Sequence, residues 1–177
     1  MLESVRHLLQ IAGYERTSVD GIAELSGVSK PAIYRRWPSK AAIVADAMLG
    51  SSVLDEVLTV PNTEDLSADL RSWMYSLGAY MRHETAMIRG LVAASMADGA
   101  TGTLLAERFQ GPARQALIGR LNNAVREGTA RSDVDLMAAS SALMDPLLVA
   151  VLEGRPLMDS ELDGLLGFVM AGLLVGS

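Results

Sequence analysis

The chain has 177 residues, half of them hydrophobic, which is enough to bury a sizeable core in one or two small domains. It contains no cysteine, which excludes disulfides, zinc–thiolate sites and a cysteine nucleophile and fits a reducing compartment. The net charge is −6, but residues 1–50 carry a net charge of +1 and the remaining 127 residues a net charge of −7. The first part of the chain could therefore meet a polyanion that the rest would repel.

Apolar residues recur at helical spacing along almost the whole chain, without a convincing period-two strand, so we expect an all-α fold of about nine helices. Gly13 is expected to end the first helix, and Thr17 or Ser18 to cap the second. Ser29 is expected to cap the third, with Pro31 in its first turn, where proline is tolerated. These first helices are predicted at about residues 2–12, 19–26, 30–37 and 40–51.

The later helices are predicted at about residues 64–83, 85–98, 103–127, 133–153 and 159–175. Residues 99–102 are expected to form a loop, and Pro112 is expected to kink or split the helix around it. Asp145 interrupts an apolar helix just before Pro146. Either Asp145 caps a helix that restarts at Pro146, which is the favoured interpretation, or it is a buried acid that faces a cationic ligand.

The C-terminal helices are apolar nearly all round. The longest apolar run, residues 165–175, is too short for a membrane span, which needs roughly 20 residues, and no secretory signal is visible. We therefore expect a cytoplasmic protein without a membrane partner, in which the last two helices of each subunit form a four-helix homodimer interface. The residues expected at this interface are Leu143, Leu147, Val151, Leu162, Leu165, Leu166, Val169 and Leu173.

Residues 19–37 have the pattern of a helix-turn-helix. Ile22, Ala23 and Leu25 are expected on the inner face of the first helix, and Ile33 and Trp37 on that of the second. Between the helices, Gly27 suits a left-handed turn, and Val28 is expected to fill the angle. The outer face of the second helix offers Lys30, Ala32, Tyr34, Arg35 and Arg36, which are small, cationic or phenolic side chains of the kind that contact DNA phosphates and bases.

Lys30 and Lys40 flank this second helix, and the segment between them contains no acidic residue. Each lysine lies in the first turn of a helix, where the partial positive charge of the helix N-terminus disfavours a cation. A bound phosphate would remove that penalty, since helix N-termini with lysine form anion sites. The alternative is that both lysines are simply solvated.

The segment TSVDGIAELSGVSKPAIYRRWPSK, residues 17–40, resembles the DNA-binding signature of the TetR family of regulators, and the resemblance extends over residues 2–48. It implies a three-helix helix-turn-helix domain in residues 1–50 and a helical ligand-binding and dimerisation domain in residues 51–177. It also implies a homodimer, usually a repressor, that binds a palindromic operator in double-stranded DNA and responds to a small molecule.

The resemblance assigns roles to individual positions. Thr17 and Ser18 would face phosphate at a helix start. The major groove would be entered by Ser29, Lys30, Pro31 and Ala32, and phosphates would be held by Tyr34, Arg36 and Lys40. Two departures matter. Proline at position 31 cannot donate a backbone N–H, so base contacts there would be apolar or absent. Many members also carry a basic arm before the first helix, which is where this sequence starts.

A ligand region would lie within residues 64–151 under this resemblance. Methionine-containing helical stripes in that region suit a permissive pocket, although such stripes more often form a core. The candidate pocket residues are Trp73, Met74, Leu77, Met81, Leu91, Phe109 and Asp145.

An enzyme and a protein-interaction module are the alternative classes of function. The only histidines are His7 and His83, and the sequence has no P-loop, no GxGxxG and no HExxH, so enzyme activity, a metal site and a cofactor are not expected. A helical module that contacts protein through its helix-turn-helix remains the alternative. Salt-sensitive binding to duplex DNA would separate the two, because counterion release makes DNA affinity fall steeply with salt.

Overall fold

A computed structural model describes residues 1–49, 52–97, 99–155 and 157–174 of the chain. These residues form helices joined by short connections, with one isolated antiparallel bridge between Ala130 and Leu174 and no strand among them. The expected all-α fold is confirmed. The elements are α1 Leu2–Arg16, α2 Val19–Ser26, α3 Lys30–Arg36, α4 Lys40–Leu49, α5 Ser52–Val57, α6 Leu66–His83, α7 Thr85–Ala97, α8 Gly99–Leu105, a π-helical turn Ala106–Gln110, α9 Gly111–Arg126, α10 Leu136–Glu153 and α11 Asp159–Leu173.

The helices group into two compact units. Unit 1 contains the described residues of Met1–Leu54 and Glu84–Gln110, and unit 2 contains Asp55–His83 and the described residues from Gly111 onward. Helices α7 and α8 and the π-helical turn thus belong to the same unit as α1–α4. The predicted boundary after residue 50, between a DNA-binding domain and a regulatory domain, is defined by function and stays a prediction.

Local signals explain the start of unit 1. Gly13 has a φ of 75°, which interrupts α1 as expected and leaves a short turn before Thr17. The hydroxyl of Ser18 accepts a hydrogen bond of 3.1 Å from the N–H of Gly21 and so caps α2. Gly27 ends α2 with a φ of 67°, a left-handed conformation that glycine adopts without strain. Ser18 and Gly27 therefore fix where α2 begins and where it ends.

The core of unit 1 lies between α1, α4 and α7. Helix α4 packs on α1, α7 and α8, and α1 also packs on α7 and α2. Gly90 on α7 lies so close to the ring of Tyr14 that a Cβ there would overlap it. Leu25, expected on the inner face of α2, is instead 49% exposed. The fully buried side chains of the unit include Val5, Ile22, Ile33, Ile43, Val44, Ala45 and Ala47.

Unit 2 is a bundle of four long helices. Helix α6 packs on α9, α10 and α11, and α10 packs on α9 and α11. Asp135 caps α10 by accepting hydrogen bonds from the N–H groups of Met137 and Ala138, a cap that the sequence interpretation missed. The interior is lined by Leu70, Met74, Leu77, Leu117, Leu121, Leu143, Leu147, Leu162 and Leu166.

The region before Pro112 differs in part from expectation. Residues 99–102 form the first turn of α8 and not the expected loop. The expected break at Pro112 is confirmed in a specific form, with a π-helical turn before α9. Proline lacks an N–H and its ring clashes with the carbonyl of residue i−4, here Arg108, so the regular α-helical ladder cannot continue through this point.

Helix α10 runs unbroken through Pro146, so the interpretation of Asp145 as the cap of a restarted helix is wrong. The alternative of a buried acid is also wrong, because the side chain of Asp145 is 61% exposed and forms an ion pair of 3.2 Å with Arg114. Helix α10 as a whole, Leu136–Glu153, is apolar enough and long enough to meet the length and hydropathy of a membrane span. Among the described helices it alone does so, and packed core helices commonly pass the same test, so this is weak evidence for a membrane.

Candidate nucleic-acid interface

Helix α3 separates an inner from an outer face as the sequence predicts. Ile33 is fully buried and Trp37, just past the helix end, is 8% exposed. On the other side Tyr34 is half exposed, and Arg35 and Arg36 are exposed. The outer face, with Pro31 exposed and Ala32 half-buried, can therefore approach a DNA groove closely.

Lys30 has a partner that the acid-free segment concealed. Its Nζ lies 2.5 Å from Oδ1 of Asp20 on α2, and both side chains are substantially exposed. The hydrogen bond that Lys30 donates to Asp20 raises the pKa of Lys30 above its ordinary value, so the pairing stabilises the charged amine. The carboxylate of Asp20 thus provides a negative charge beside Lys30 at the start of α3. A DNA phosphate would have to displace Asp20 or bind Lys30 together with it.

Lys40 is turned toward the end of α1. Its Nζ donates a hydrogen bond of 3.0 Å to the carbonyl of Tyr14 and lies 4.1 Å from the centre of the Tyr14 ring. The helix dipole places negative partial charge at a C-terminal carbonyl, and the aromatic face adds a cation–π contact. Lys40 is half-buried by these contacts, so it links α4 to α1 as well as bordering the candidate interface.

The three hydroxyl residues of the predicted interface have different surroundings. Thr17 is 3% exposed and its hydroxyl donates a hydrogen bond of 2.7 Å to the carbonyl of Gly13, so it faces the interior and not a phosphate. Ser18 is exposed and caps α2. Ser29 is also exposed, but it makes no side-chain cap hydrogen bond to α3, contrary to expectation. Its hydroxyl faces solvent beside Lys30.

The end of α3 is held by a chain of polar contacts. The guanidinium of Arg36 lies 4.6 Å from the centre of the Trp37 ring. The indole N–H of Trp37 donates to Oδ2 of Asp46 at 3.0 Å, and Nη1 of Arg108 donates to Oδ1 at 2.7 Å. Burial alone would raise the pKa of Asp46, but the hydrogen bonds from Arg108 and Trp37 hold it below its ordinary value. Asp46 is therefore a carboxylate with both oxygens engaged.

Sequence reasoning missed Asp20, Tyr14, Asp46 and Arg108. Asp20 precedes Lys30 by ten residues and Arg108 follows Asp46 by 62, so no helical repeat connects the partners. Only the crossing of α2 with α3 and the packing of α4 on α8 bring them together.

The residues predicted to line a ligand pocket do not share one place. Trp73, Met74, Leu77 and Met81 lie along one buried face of α6 in unit 2 and are at most 5% exposed. Leu91 and Phe109 belong to unit 1, on α7 and on the π-helical turn. Asp145 is exposed on α10. The four α6 residues therefore form a packed core stripe.

A buried ion pair lies next to this stripe. Nε of Arg120 donates to Oδ2 of Asp69 at 2.7 Å, and both side chains are at most 3% exposed. Burial alone would raise the pKa of Asp69, but hydrogen bonds from Arg120 and Thr63 lower it. Nη1 of Arg120 and Nε1 of Trp73 are buried without a hydrogen-bond partner in the described part of the chain. Buried donors of this kind can donate to a water or to a ligand oxygen.

The residues predicted at the dimer interface are mostly buried within their own chain. Leu165 is half-buried, whereas the other seven, from Leu143 to Leu173, are at most 7% exposed. The apolar side chains that α10 and α11 leave exposed are others, namely Met137, Val149, Leu152 and Phe168, at 44–78% exposure. A partner would touch these residues first.

Family models match both parts of the chain. Residues 2–47 match the model described as bacterial regulatory proteins of the tetR family, and residues 60–169 match the model described as the tetracyclin repressor-like C-terminal domain. The first match covers the helix-turn-helix, and the second covers more than half of the chain.

Relatives and solved structures agree with the models. The HTH-type transcriptional regulator YdeS of Bacillus subtilis is 28% identical over 153 residues, which are 86% of this chain and 76% of YdeS. The DNA-binding transcriptional repressor TetR of Mycobacteroides abscessus is 29% identical over 168 residues, which are 92% of this chain and 85% of that protein.

Among solved structures, the TetR family transcription regulator SCO0332 has a TM-score of 0.80 at 25% identity and covers 98% of this chain and 96% of its own. The repressor FadR of Thermus thermophilus, in complex with lauroyl-CoA, shares the fold with a TM-score of 0.76 at 20% identity, covering 99% of this chain and 94% of its own. The chain belongs to the TetR family: it is a DNA-binding transcriptional regulator and not an enzyme.

Proposed function

We propose that the chain is a ligand-responsive repressor that acts in the cytoplasm and binds a palindromic operator as a homodimer. The observation that carries the DNA-binding part is the outer face of α3, where Tyr34, Arg35 and Arg36 are exposed while Ile33 and Trp37 anchor the helix from below. In a two-fold dimer, two such helices would enter successive major grooves about 34–36 Å apart.

The contacts divide by chemistry. Ser29, Lys30, Pro31 and Ala32, at the start of α3, would face base edges, with Ser29 and Lys30 as the hydrogen-bonding groups. Phosphates would be held by Ser18, Tyr34, Arg35, Arg36 and Lys40. Lys30 would exchange Asp20 for an acceptor on DNA, because the exposed ion pair with Asp20 is weak. A phosphate or a guanine would provide the alternative hydrogen-bond acceptor.

The homodimer is supported by the apolar surface of unit 2. Val149 and Leu152 lie one turn apart near the end of α10, and Phe168 on α11 is 78% exposed. Exposed apolar side chains on two helices that pack on each other are typical of an interface that a second copy covers. The predicted interface residues beneath them would shape that surface from inside.

The ligand response is supported by unit 2 as well. Trp73 and Arg120 offer buried donors without partners beside an apolar stripe on α6. The fold neighbour FadR is in complex with lauroyl-CoA, which supports a small molecule as a partner for this chain too. Binding would favour a conformer with the wrong spacing of the two α3 helices and release the operator.

The test is selection of a random pool of DNA duplexes by the purified protein at two salt concentrations. We expect enrichment of a palindrome whose affinity falls as salt rises. Arg35→Ala should weaken that binding and reduce the salt slope by about one. Arg89→Ala is the matched control, because Arg89 is an exposed arginine on α7 of the same unit but lies off the α3 surface.

Recovery of a non-palindromic site would contradict the homodimer but not DNA binding. Equal losses for Arg35→Ala and Arg89→Ala would contradict the role of the α3 face. Absence of any enriched duplex, with intact folding, would favour the helical interaction module.

A further inference from the structure

A cavity of about 340 Å³ is lined by residues of unit 1 alone. Its apolar wall includes Trp37, Pro38 and Ala42 on one side and Leu104 on α8 on the other, and its polar wall includes Arg36, Asp46 and Arg108. This volume is at the small end of the range of protein ligand pockets, roughly 300–1,000 Å³. One ring with a short substituent would suit it.

Besides the hydroxyl residues Ser39 and Thr101, the polar lining of this cavity consists of charged side chains whose unused hydrogen-bonding groups are mainly donors. Both oxygens of Asp46 already accept hydrogen bonds, from Trp37 and from Arg108. By contrast, Arg108 donates only through Nη1 within the described part of the chain, and the guanidinium of Arg36 is stacked on Trp37 without a hydrogen-bond acceptor there. A guanidinium has several N–H donors and no acceptor. A bound molecule could therefore accept hydrogen bonds from Arg36 and Arg108, whereas both oxygens of Asp46 are already engaged.

The charges point in the same direction. Two arginines and one aspartate leave a net charge of +1 on the polar wall. An anionic group can bind a guanidinium through two parallel hydrogen bonds, which is stronger and more directional than a neutral acceptor. An apolar ring can at the same time lie against Trp37 and Leu104.

We propose that this cavity is a second effector site, which binds a small molecule consisting of an aromatic ring and an anionic group. Its occupant acts directly on the end of α3. An anion that recruits Arg36 and Arg108 competes with DNA for Arg36 and draws Arg108 away from Asp46, which in turn holds the indole of Trp37. The site thus controls the DNA surface without any change in unit 2.

The first test is binding, observed by NMR of the indole N–H groups. The chain has only two tryptophans, Trp37 in the cavity wall and Trp73 in the core of unit 2, so one spectrum contains both the reporter and its internal control. The probes are benzoate, benzyl alcohol, benzylamine and inorganic phosphate. Benzoate should shift the Trp37 signal saturably and leave Trp73 in place, and the other three should have at least tenfold weaker effects.

Substitutions within α8 locate the binding. Leu104→Phe should fill the cavity and weaken benzoate binding at least tenfold, whereas Leu105→Phe, the same change at the neighbouring position outside the lining, should not. Arg108→Met should weaken benzoate but not benzyl alcohol. A fixed Trp37 signal, an equal response to phosphate, or equal effects of Leu104→Phe and Leu105→Phe would overturn the proposal.

The second test is regulation, and it rests on the proposed DNA binding. Saturating benzoate should lower the affinity of the wild-type protein for duplex DNA, and should leave the affinity of the Leu104→Phe protein unchanged. Because the NMR experiment contains no DNA, failure there counts against the cavity alone, and failure of DNA binding without benzoate counts against the proposed function alone. Benzoate binding without an effect on DNA affinity would overturn the regulatory part.

Discussion

At the scale of single residues, the cations beside α3 already have partners before DNA arrives. Lys30 is paired with Asp20, Lys40 with the carbonyl and ring of Tyr14, and Arg36 with the ring of Trp37. Arg35 is the exposed cation of this surface for which no such partner is described. Under the proposed DNA contacts, these three cations would have to exchange or share their present partners, so the neighbours of the cations are expected to influence affinity as well.

Asp20 provides a direct test of this exchange. Asp20→Asn removes both the competitor for Lys30 and a negative charge near the phosphates, so DNA affinity at low salt should rise by about two- to fivefold, the size expected of an exposed ion pair. Glu24→Gln, an equal change of charge at an exposed position on the same helix, should have a smaller effect. Fluorescence anisotropy with a labelled duplex measures both, and equal gains would show that only the overall charge matters.

At the scale of elements, the packing of α1 on α7 depends on the absence of a side chain at Gly90. Gly90→Ala pushes a methyl group into the ring of Tyr14, so we expect a loss of about 1–3 kcal/mol in the free energy of unfolding. Gly119→Ala on α9, where a Cβ meets open space, should leave stability equal or higher. Urea denaturation compares the two variants, and equal stability would contradict the close approach.

The buried pair between α6 and α9 is a second element-scale feature. Asp69→Asn leaves Arg120 buried without a counter-charge and should cost about 3–5 kcal/mol. The double variant Asp69→Leu with Arg120→Met should lose less stability than the sum of the losses for Asp69→Leu alone and Arg120→Met alone. Chemical denaturation of the four proteins gives the coupling, and additive losses would show that the pair is not coupled.

The same pair predicts a dependence of stability on pH. The pKa of Asp69 is lower in the folded protein than its ordinary value of 3.8, so folding favours the carboxylate. That contribution is fully present above the ordinary value and is lost as the pH falls below it, through the folded pKa. The wild-type protein should lose more stability than Asp69→Asn over this interval, and parallel curves would contradict the assignment.

At the scale of the whole molecule, the apolar surface of unit 2 predicts assembly. Phe168→Asp combined with Val149→Asp should reduce the solution mass to the 18.8 kDa of one chain and weaken operator binding. Met96→Asp, at an apolar side chain of unit 1 that is 86% exposed, should leave the mass unchanged. Light scattering after size exclusion measures the mass, and an unchanged mass for the first variant would place the interface elsewhere.

The comparison of sequence with structure also depends on scale. Apolar periodicity and capping residues predicted α2 with the correct ends, because Ser18 and Gly27 act on the backbone next to them. They failed for Asp145, because the packing of α10 within the bundle tolerates Pro146 inside the helix. They also failed for Asp20 and Arg120, whose importance depends on partners that only the tertiary fold supplies.

The positions of Lys30 and Lys40 on either side of α3 have a practical consequence, because the sequence contains no other lysine. Reagents that acylate side-chain amines can therefore mark only the two edges of α3. Lys30, more exposed than Lys40, should react faster in the free protein, and bound DNA should protect both. Coupling the protein to a surface through its side-chain amines would in turn occupy the DNA face, so binding measurements on this regulator are better made with the duplex immobilised.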